Sequence, residues 1–382
     1  MRALIVKEFR ELARDHRTLA MLVVLPVLLL VIFGYAANFS VDRVSVIVVG
    51  SEAESLVTEL DGSDIAKDDL DIIRVDAALD TADAESLLRD QEADAVIVAD
   101  GGSDTDAALS SRMRVYLDGS DLFTAQSAQG VFLRLVAEDA SARMAAAQAS
   151  GATASVPAGT PSLDTDEVVT VLFNPDLKTS WVMVPGLIGM ILLFIGGLIT
   201  SIGVVRERET GTLEQLAVMP LRPSAIIVGK IAPYFLLALV DMAAVTALGV
   251  WLFDVPFVGS LWLFSLAAVV FLFVVLGIGV MISTVSQNTG QAIQMAILFV
   301  VPQILLSGLI FPLDSMPMGV RWIGYILPLT WFREVVQGVM LRGAGLDSLW
   351  LPLTILAVMA VVVFGVATAR MRFSLTHGGA RS

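Results

Sequence analysis

Residues 255–313 read VPFVGSLWLFSLAAVVFLFVVLGIGVMISTVSQNTGQAIQMAILFVVPQILLSGLIFPL, and no Asp, Glu, Lys or Arg interrupts them. A membrane helix needs about 20 consecutive apolar residues. This run of 59 is therefore too long for one span and long enough for two. Ser286-Gln287-Asn288-Thr289-Gly290 is a polar, turn-prone break in its middle, which predicts spans at 260–285 and 290–311. Outward from there, Thr18–Val41 is uncharged for 24 residues, Thr179–Val205 for 27 and Ser348–Ala369 for 22. Ala225–Phe253 carries only Lys230 near one end and Asp241 in the middle. Six spans are expected, at 18–38, 181–204, 225–253, 260–285, 290–311 and 349–369.

Composition agrees. Of 382 residues, 56% are apolar and 16% charged, and the mean hydropathy is +0.80. A soluble domain averages about 45–50% apolar and about 25% charged, so a wholly soluble chain is excluded. The absence of cysteine excludes disulfides, thiolate metal centres and thiol catalysis. His16 and His377 are the only histidines, which argues against a histidine-rich metal centre.

The net charge of −14 is unevenly placed. Residues 39–180 hold 9 basic and 27 acidic side chains, whereas the rest of the chain holds 15 and 11. An acidic, water-loving block interrupts a mildly basic, apolar chain. Six spans put both termini on one side. That side carries Arg2, Lys7, Arg10, Arg14, Arg17, Arg206, Arg208, Arg222, Lys230, Arg370, Arg372 and Arg381. The positive-inside bias thus places both termini in the cytoplasm and residues 39–180 outside. Ahead of the first span, Ile5, Phe9, Leu12 and Ala13 oppose Lys7, Arg10, Glu11 and Arg14. Residues 1–17 therefore read as an amphipathic helix in the inner headgroup region. A cleaved leader ending near Tyr35-Ala36-Ala37 is the weaker reading, because the preceding segment is long and patterned.

Within the acidic block, Val44–Gly50, Leu70–Val75, Ala95–Ala99, Arg112–Leu117 and Val168–Phe173 are short β-branched runs. Ser51–Leu60, Ala82–Asp90 and Thr124–Ala149 suit helices, and Gly151–Pro161 is a small-residue linker. Alternation of this kind predicts an α/β domain. Asp100–Asp106 (DGGSDTD) lacks the spacing and terminal Glu of a calcium loop, and reads as solvated acidic surface.

The loop 206–224 is the most informative stretch, within Val205–Tyr234 (VRERETGTLEQLAVMPLRPSAIIVGKIAPY). Arg206-Glu207-Arg208-Glu209 leads out of the membrane and Gly211 permits a break. Thr212 and Gln215 have capping-box spacing, opening a short helix with Leu213 and Leu216 on one face. Pro220 and Pro223 stop it. A short capped helix on the cytoplasmic side is a natural docking knob.

At this loop the chain resembles the ABC-2 type transporter permeases. The family motif is matched by Arg206, Glu207, Glu209, Gly211, Thr212, Leu213, Glu214 and Leu216, with Pro220 and Gly229-Lys230 following. Lys7–Tyr35, Phe173–Gly189 and Leu305–Gly343 resemble the branch of that family with a large ectodomain. The resemblance covers all the spans in order, and more weakly the ectodomain through Val115–Asp121. Phe39–Gly50 departs from it, lacking an acidic pair after the first ectodomain strand. The resemblance implies a dimer of permease subunits, of one kind or with a sibling chain, above two ATP-binding subunits. Residues Thr212–Val218 would form the coupling helix seated in those subunits, supported by salt bridges from Arg206–Glu209. It also implies that 312–345 is an outer re-entrant pair with Pro328 at its turn, and Arg333 and Glu334 as candidate outer gate residues. Surface salt bridging explains Arg333 and Glu334 equally well.

The sequence contains no G-x-x-x-x-G-K-[ST] phosphate loop. ATP and Mg are thus expected on a partner, and the chain is not expected to be an enzyme or to hold a cofactor. Among polar residues at membrane depth, Asp241 is either a pathway or proton-relay residue or an interhelical hydrogen-bonding group. Gln291, Gln294 and Gln303 either line a path or join helices. The expected function is export of a hydrophobic or amphiphilic small molecule (a drug, natural product or lipid) across a prokaryotic plasma membrane. Twenty Arg against four Lys fits a GC-rich prokaryote. A proton-coupled secondary transporter using Asp241 would show internal repeats, and none is found. A membrane-anchored ligand-binding receptor would leave five further spans without a purpose.

Overall fold

β-Branched runs buried on both faces need helices above and below them, and the chain supplies these in alternation. The computed structural model describes residues 43–100, 107–149, 168–209, 223–313 and 315–377. The expected amphipathic helix 1–17, the first span 18–38 and the linker 151–161 lie outside the described residues.

The first part is an α/β unit. In chain order it runs β1 (Val44–Val49), α1 (Ala53–Leu60), α2 (Asp64–Asp69), β2 (Leu70–Asp76), α3 (Thr81–Arg89) and β3 (Ala95–Val98). It continues with α4 (Leu109–Arg112), β4 (Arg114–Asp118), α5 (Leu122–Ala149) and β5 (Val169–Leu172). The sheet order is β2-β1-β3-β4-β5, with only the β3–β4 pair antiparallel. Alternate side chains of β1 feed opposite cores, as a two-residue repeat requires. Val46 and Val48 join Leu56, Phe132 and Leu135, while Ile47 and Val49 join Leu87, Leu88 and Val96. Arg112, read from sequence as the start of a strand, instead ends the short helix α4; its guanidinium donates to Glu59 at 2.5 Å.

The second part is a helical bundle. α6 spans 179–209 as Thr179–Leu193, a π-helical turn Phe194–Ile199, and Thr200–Glu209. There follow α7 (Pro223–Leu252), α8 (Leu261–Val285) and α9 (Thr289–Leu306). Two short helices come next, α10 (Met318–Ile326) and α11 (Pro328–Gln337), then a π turn Gly338–Arg342 and α12 (Leu346–His377). Among the described residues, five helices are long and apolar enough to cross a membrane. α9 ends at Leu306, short of the 311 expected, because Gly308 turns the chain at φ +85°. A side chain there would meet the Arg333 guanidinium at 2.7 Å. Elsewhere Gly279 of α8 lets that helix close on the π turn of α6, since an added Cβ would lie 2.8 Å from the Gly196 carbonyl. Phe271 of α8 stacks on Phe332 of α11 with centroids 4.2 Å apart, so α11 packs into the bundle core.

Candidate functional site

The site is built around α9, whose two ends are fastened to other elements. Its first turn leaves backbone N–H groups without intrahelical partners. Asn288 is the N-cap, its Oδ1 accepting from Gln291 N at 2.9 Å. Gln291 folds back and accepts from Gln287 N at 3.0 Å. Another donor of that turn, Thr289 N, is met from a different helix. Glu209, the last residue of α6, accepts from Thr289 N at 2.9 Å and from the Thr289 hydroxyl at 2.7 Å. A carboxylate at a helix N-terminus also meets the positive end of the helix dipole. These two bonds, and more weakly the charge of Arg206, hold the Glu209 carboxyl below its ordinary value. Glu209 thus receives hydrogen bonds from Thr289, a contact that motif reading does not disclose.

At the opposite end of α9, Gln303 is fully buried and its Oε1 accepts from Leu329 N at 3.1 Å. Pro328 opens α11 and has no N–H to satisfy, so Leu329 carries the first orphan donor of that helix. Thr330 donates to the Gly324 carbonyl at 2.6 Å, tying α11 to α10. Arg333 donates to Gln337 Oε1 at 3.0 Å, and Gln337 Nε2 donates to the Val182 carbonyl of α6 at 3.2 Å. Glu334 is half-buried in the field of Arg333 and Arg342.

A third junction joins the two parts of the molecule. Arg342, almost fully buried at the end of the π turn, donates to Ser120 at 3.1 Å and reaches Asp118 at 3.5 Å. Burial raises the Asp118 carboxyl, and the Arg342 charge and the Ser120 hydrogen bonds oppose that rise. Arg89 donates to the Arg342 carbonyl at 3.1 Å, and Ser348 donates to Asp90. Val258 and Gly259 donate to the carbonyls of Met340 and Val339, satisfying backbone that the π turn leaves open.

The expected polar residues do not form one cluster. Asp241 is half-buried on α7. Gln291 and Gln303 lie about 18 Å apart along α9, by its 1.5 Å rise per residue. Gln294 is exposed whereas Gln291 is buried. Pro328, Arg333 and Glu334 do share one short helix. Glu207 belongs to α6 beside Arg206 and Glu209, whereas Gly211, Thr212, Leu213, Glu214 and Leu216 lie outside the described residues. Sequence reading missed Thr289, Arg342, Asp118 and Ser120. It also passed over a signal in tryptophan: Trp181, Trp262 and Trp350 sit near the starts of α6, α8 and α12 and Trp251 near the end of α7, while Trp322 and Trp331 lie within the short helices α10 and α11. Trp251, Trp262, Trp322 and Trp350 are more than half exposed.

Among the described residues, no group of three His, Cys, Asp or Glu is placed to hold a metal. Five helices long and apolar enough to cross a membrane, among the described residues, mark a multi-pass membrane protein. The profile of the ABC-2 family transporter proteins matches residues 16–369, and the chain belongs to that family. It is 30% identical to the probable multidrug ABC transporter permease YbhR of Escherichia coli K12, over 97% of each chain. It is also 30% identical to the probable multidrug ABC transporter permease YbhS of the same organism, over 98% of this chain and 95% of that protein. The inner membrane transport permease YhhJ, again from Escherichia coli K12, is 33% identical over 52% of this chain and 54% of its own.

Proposed function

We propose that this chain is the permease subunit of an ATP-driven exporter that moves a hydrophobic or amphiphilic small molecule outward across a prokaryotic plasma membrane. ATP and Mg²⁺ act on a separate ATP-binding subunit, and two permease copies, or one copy and a sibling, form the pathway. The observation that carries this reading is the exit of α6 into the loop 206–224 with Glu209 braced on α9. A loop that receives a push must be anchored to the spans it is to move. The names of YbhR and YbhS support the substrate class.

In this reading six spans cross the membrane, with residues 1–17 and both termini inside. The α/β unit lies outside, and 312–345 is a re-entrant pair. Exposed tryptophans at the end of α7 and the starts of α8 and α12 suit one membrane interface, and Arg206 and Arg370, toward the opposite ends of α6 and α12, suit the cytoplasmic one. Residues 206–224 couple to the ATP-binding subunit, through Arg206, Glu207, Glu209, Gly211, Thr212, Leu213, Glu214 and Leu216. Asp241 and Gln294 face the pathway, and Arg333 with Glu334 forms its outer gate.

Purification from native membranes in mild detergent, followed by mass spectrometry, tests the reading. An ATP-binding subunit recovered in roughly equimolar amount is the expected result. Its absence under conditions that preserve other membrane complexes would overturn the proposal.

A further inference from the structure

Three helices close into a frame. Glu209 of α6 holds the start of α9 at Thr289. Gln303 near the end of α9 holds the start of α11 at Leu329. Gln337 at the end of α11 holds the start of α6 at Val182. Every corner is a hydrogen bond between a side chain and a backbone group of another helix, so each corner fixes a helix end and not merely a neighbouring side chain.

We infer that α9 is a strut, carrying displacement from the inner loop to the outer pair α10–α11 through Thr289 at one end and Gln303 at the other. This rests on the coupling role proposed above for residues 206–224. The span from Thr289 to Gln303 is about 21 Å at 1.5 Å per residue, most of the way across a hydrocarbon core of about 30 Å. Apart from the one bond that Pro302 forgoes beside Gln303, α9 is a hydrogen-bonded helix that shortens little under load, and close-packed interiors pass strain on rather than absorbing it. Between its ends α9 presents a narrow inward stripe of Ala292, Ala296 and Val300, with Ile293 and Ile297 exposed on the other side. Small residues on one side and no polar side chain in that stripe leave the two ends as the polar attachments of the helix. Moving α6 against α9 at the Glu209 corner must therefore be relieved at the Gln303 and Gln337 corners, where the outer helices sit.

Gln303 is not explained by stability alone. Its Oε1 must be the atom facing Leu329 N, since a backbone N–H can only donate. Its buried Nε2 then has no acceptor among the described residues. An unsatisfied buried donor is unfavourable; Gln303→Leu removes the corner and that donor, and in exchange leaves the buried Leu329 N–H without its acceptor. Thr289 and Gln303 are positioning residues for the transport cycle.

The chain's lack of cysteine permits a direct test. Met318→Cys on α10, an exposed position, reports the outer pair by its labelling with a membrane-impermeant maleimide. Ala217→Cys reports the inner loop. Both are measured in the complex with its ATP-binding subunit in nanodiscs, without nucleotide and with ATP plus vanadate. Both labels are expected to respond to nucleotide in the parent chain. Gln303→Leu reduces the response at Met318→Cys by roughly five-fold or more, the low end of measured coupling, and Thr289→Val, which loses the hydroxyl bond to Glu209 but keeps the backbone one, reduces it by less. They leave Ala217→Cys responsive, and Thr289→Ser, which keeps the hydroxyl, restores the outer response. A full outer response in both variants, with the loop label still responsive, overturns the strut alone. A loop label indifferent to nucleotide in the parent overturns the exporter reading, and the strut with it.

Discussion

Asp118 and Arg342 are 224 residues apart in sequence and meet in a buried junction between the α/β unit and the bundle. Burial raises the Asp118 carboxyl above its ordinary 3.8 despite the arginine. A group raised in this way stabilises the fold below its unfolded value and loses that contribution as pH rises through the folded one. Asp118→Asn should thus flatten the decline of thermal stability with rising pH, although it leaves the buried Arg342 guanidinium without its carboxylate and so lowers stability near neutrality. Arg342→Met should lower stability by about 3 kcal/mol, because it leaves a carboxylate buried without its partner. Thermal unfolding followed in detergent across a pH series checks both, and a pH slope in Asp118→Asn equal to that of the parent would refute the argument. Glu209 has the opposite sign. Thr289 holds its carboxyl below the ordinary 4.5, so its contribution is present above that pH and fades as pH falls. Thr289→Val removes the hydroxyl bond and keeps the backbone one, so it should weaken that acid-side decline in the same series.

At the scale of elements, helix contacts decide which positions tolerate change. Gly279→Val places a Cβ within 2.8 Å of a backbone carbonyl of α6 that cannot move aside cheaply. Overpacking of this kind costs roughly 1–3 kcal/mol, measurable as a lower unfolding temperature. Gly130, in the middle of α5, has nothing within 4 Å of an added Cβ. Gly130→Ala should therefore raise stability by up to about 1 kcal/mol, the difference in helix propensity. The strands and the long helices fall on runs that are legible in the sequence, because periodicity and burial are local properties. The π turns at Phe194–Ile199 and Gly338–Arg342 are not. They arise where another element supplies partners or close approach, as Gly279 does for the first and Val258 and Gly259 do for the second.

For the whole molecule, the proposed cycle makes the loop 206–224 the place where ATP hydrolysis and transport are joined. Glu209→Ala or Gly211→Pro should leave the ATP-binding subunit hydrolysing nucleotide while export falls, with the complex still assembled. Paired ATPase and vesicle transport assays check this, and unchanged transport would refute the coupling role. The sequence by itself determined that this is a multi-pass membrane chain with an acidic α/β unit, since uncharged run length and charge asymmetry are sums over neighbouring residues. It also carried the family motif at Arg206–Leu216. Only the tertiary structure decided what Glu209, Gln303, Gln337 and Arg342 bond to. Their partners lie 80, 26, 155 and 224 residues away, and a hydrogen bond between distant segments leaves no periodic trace in either.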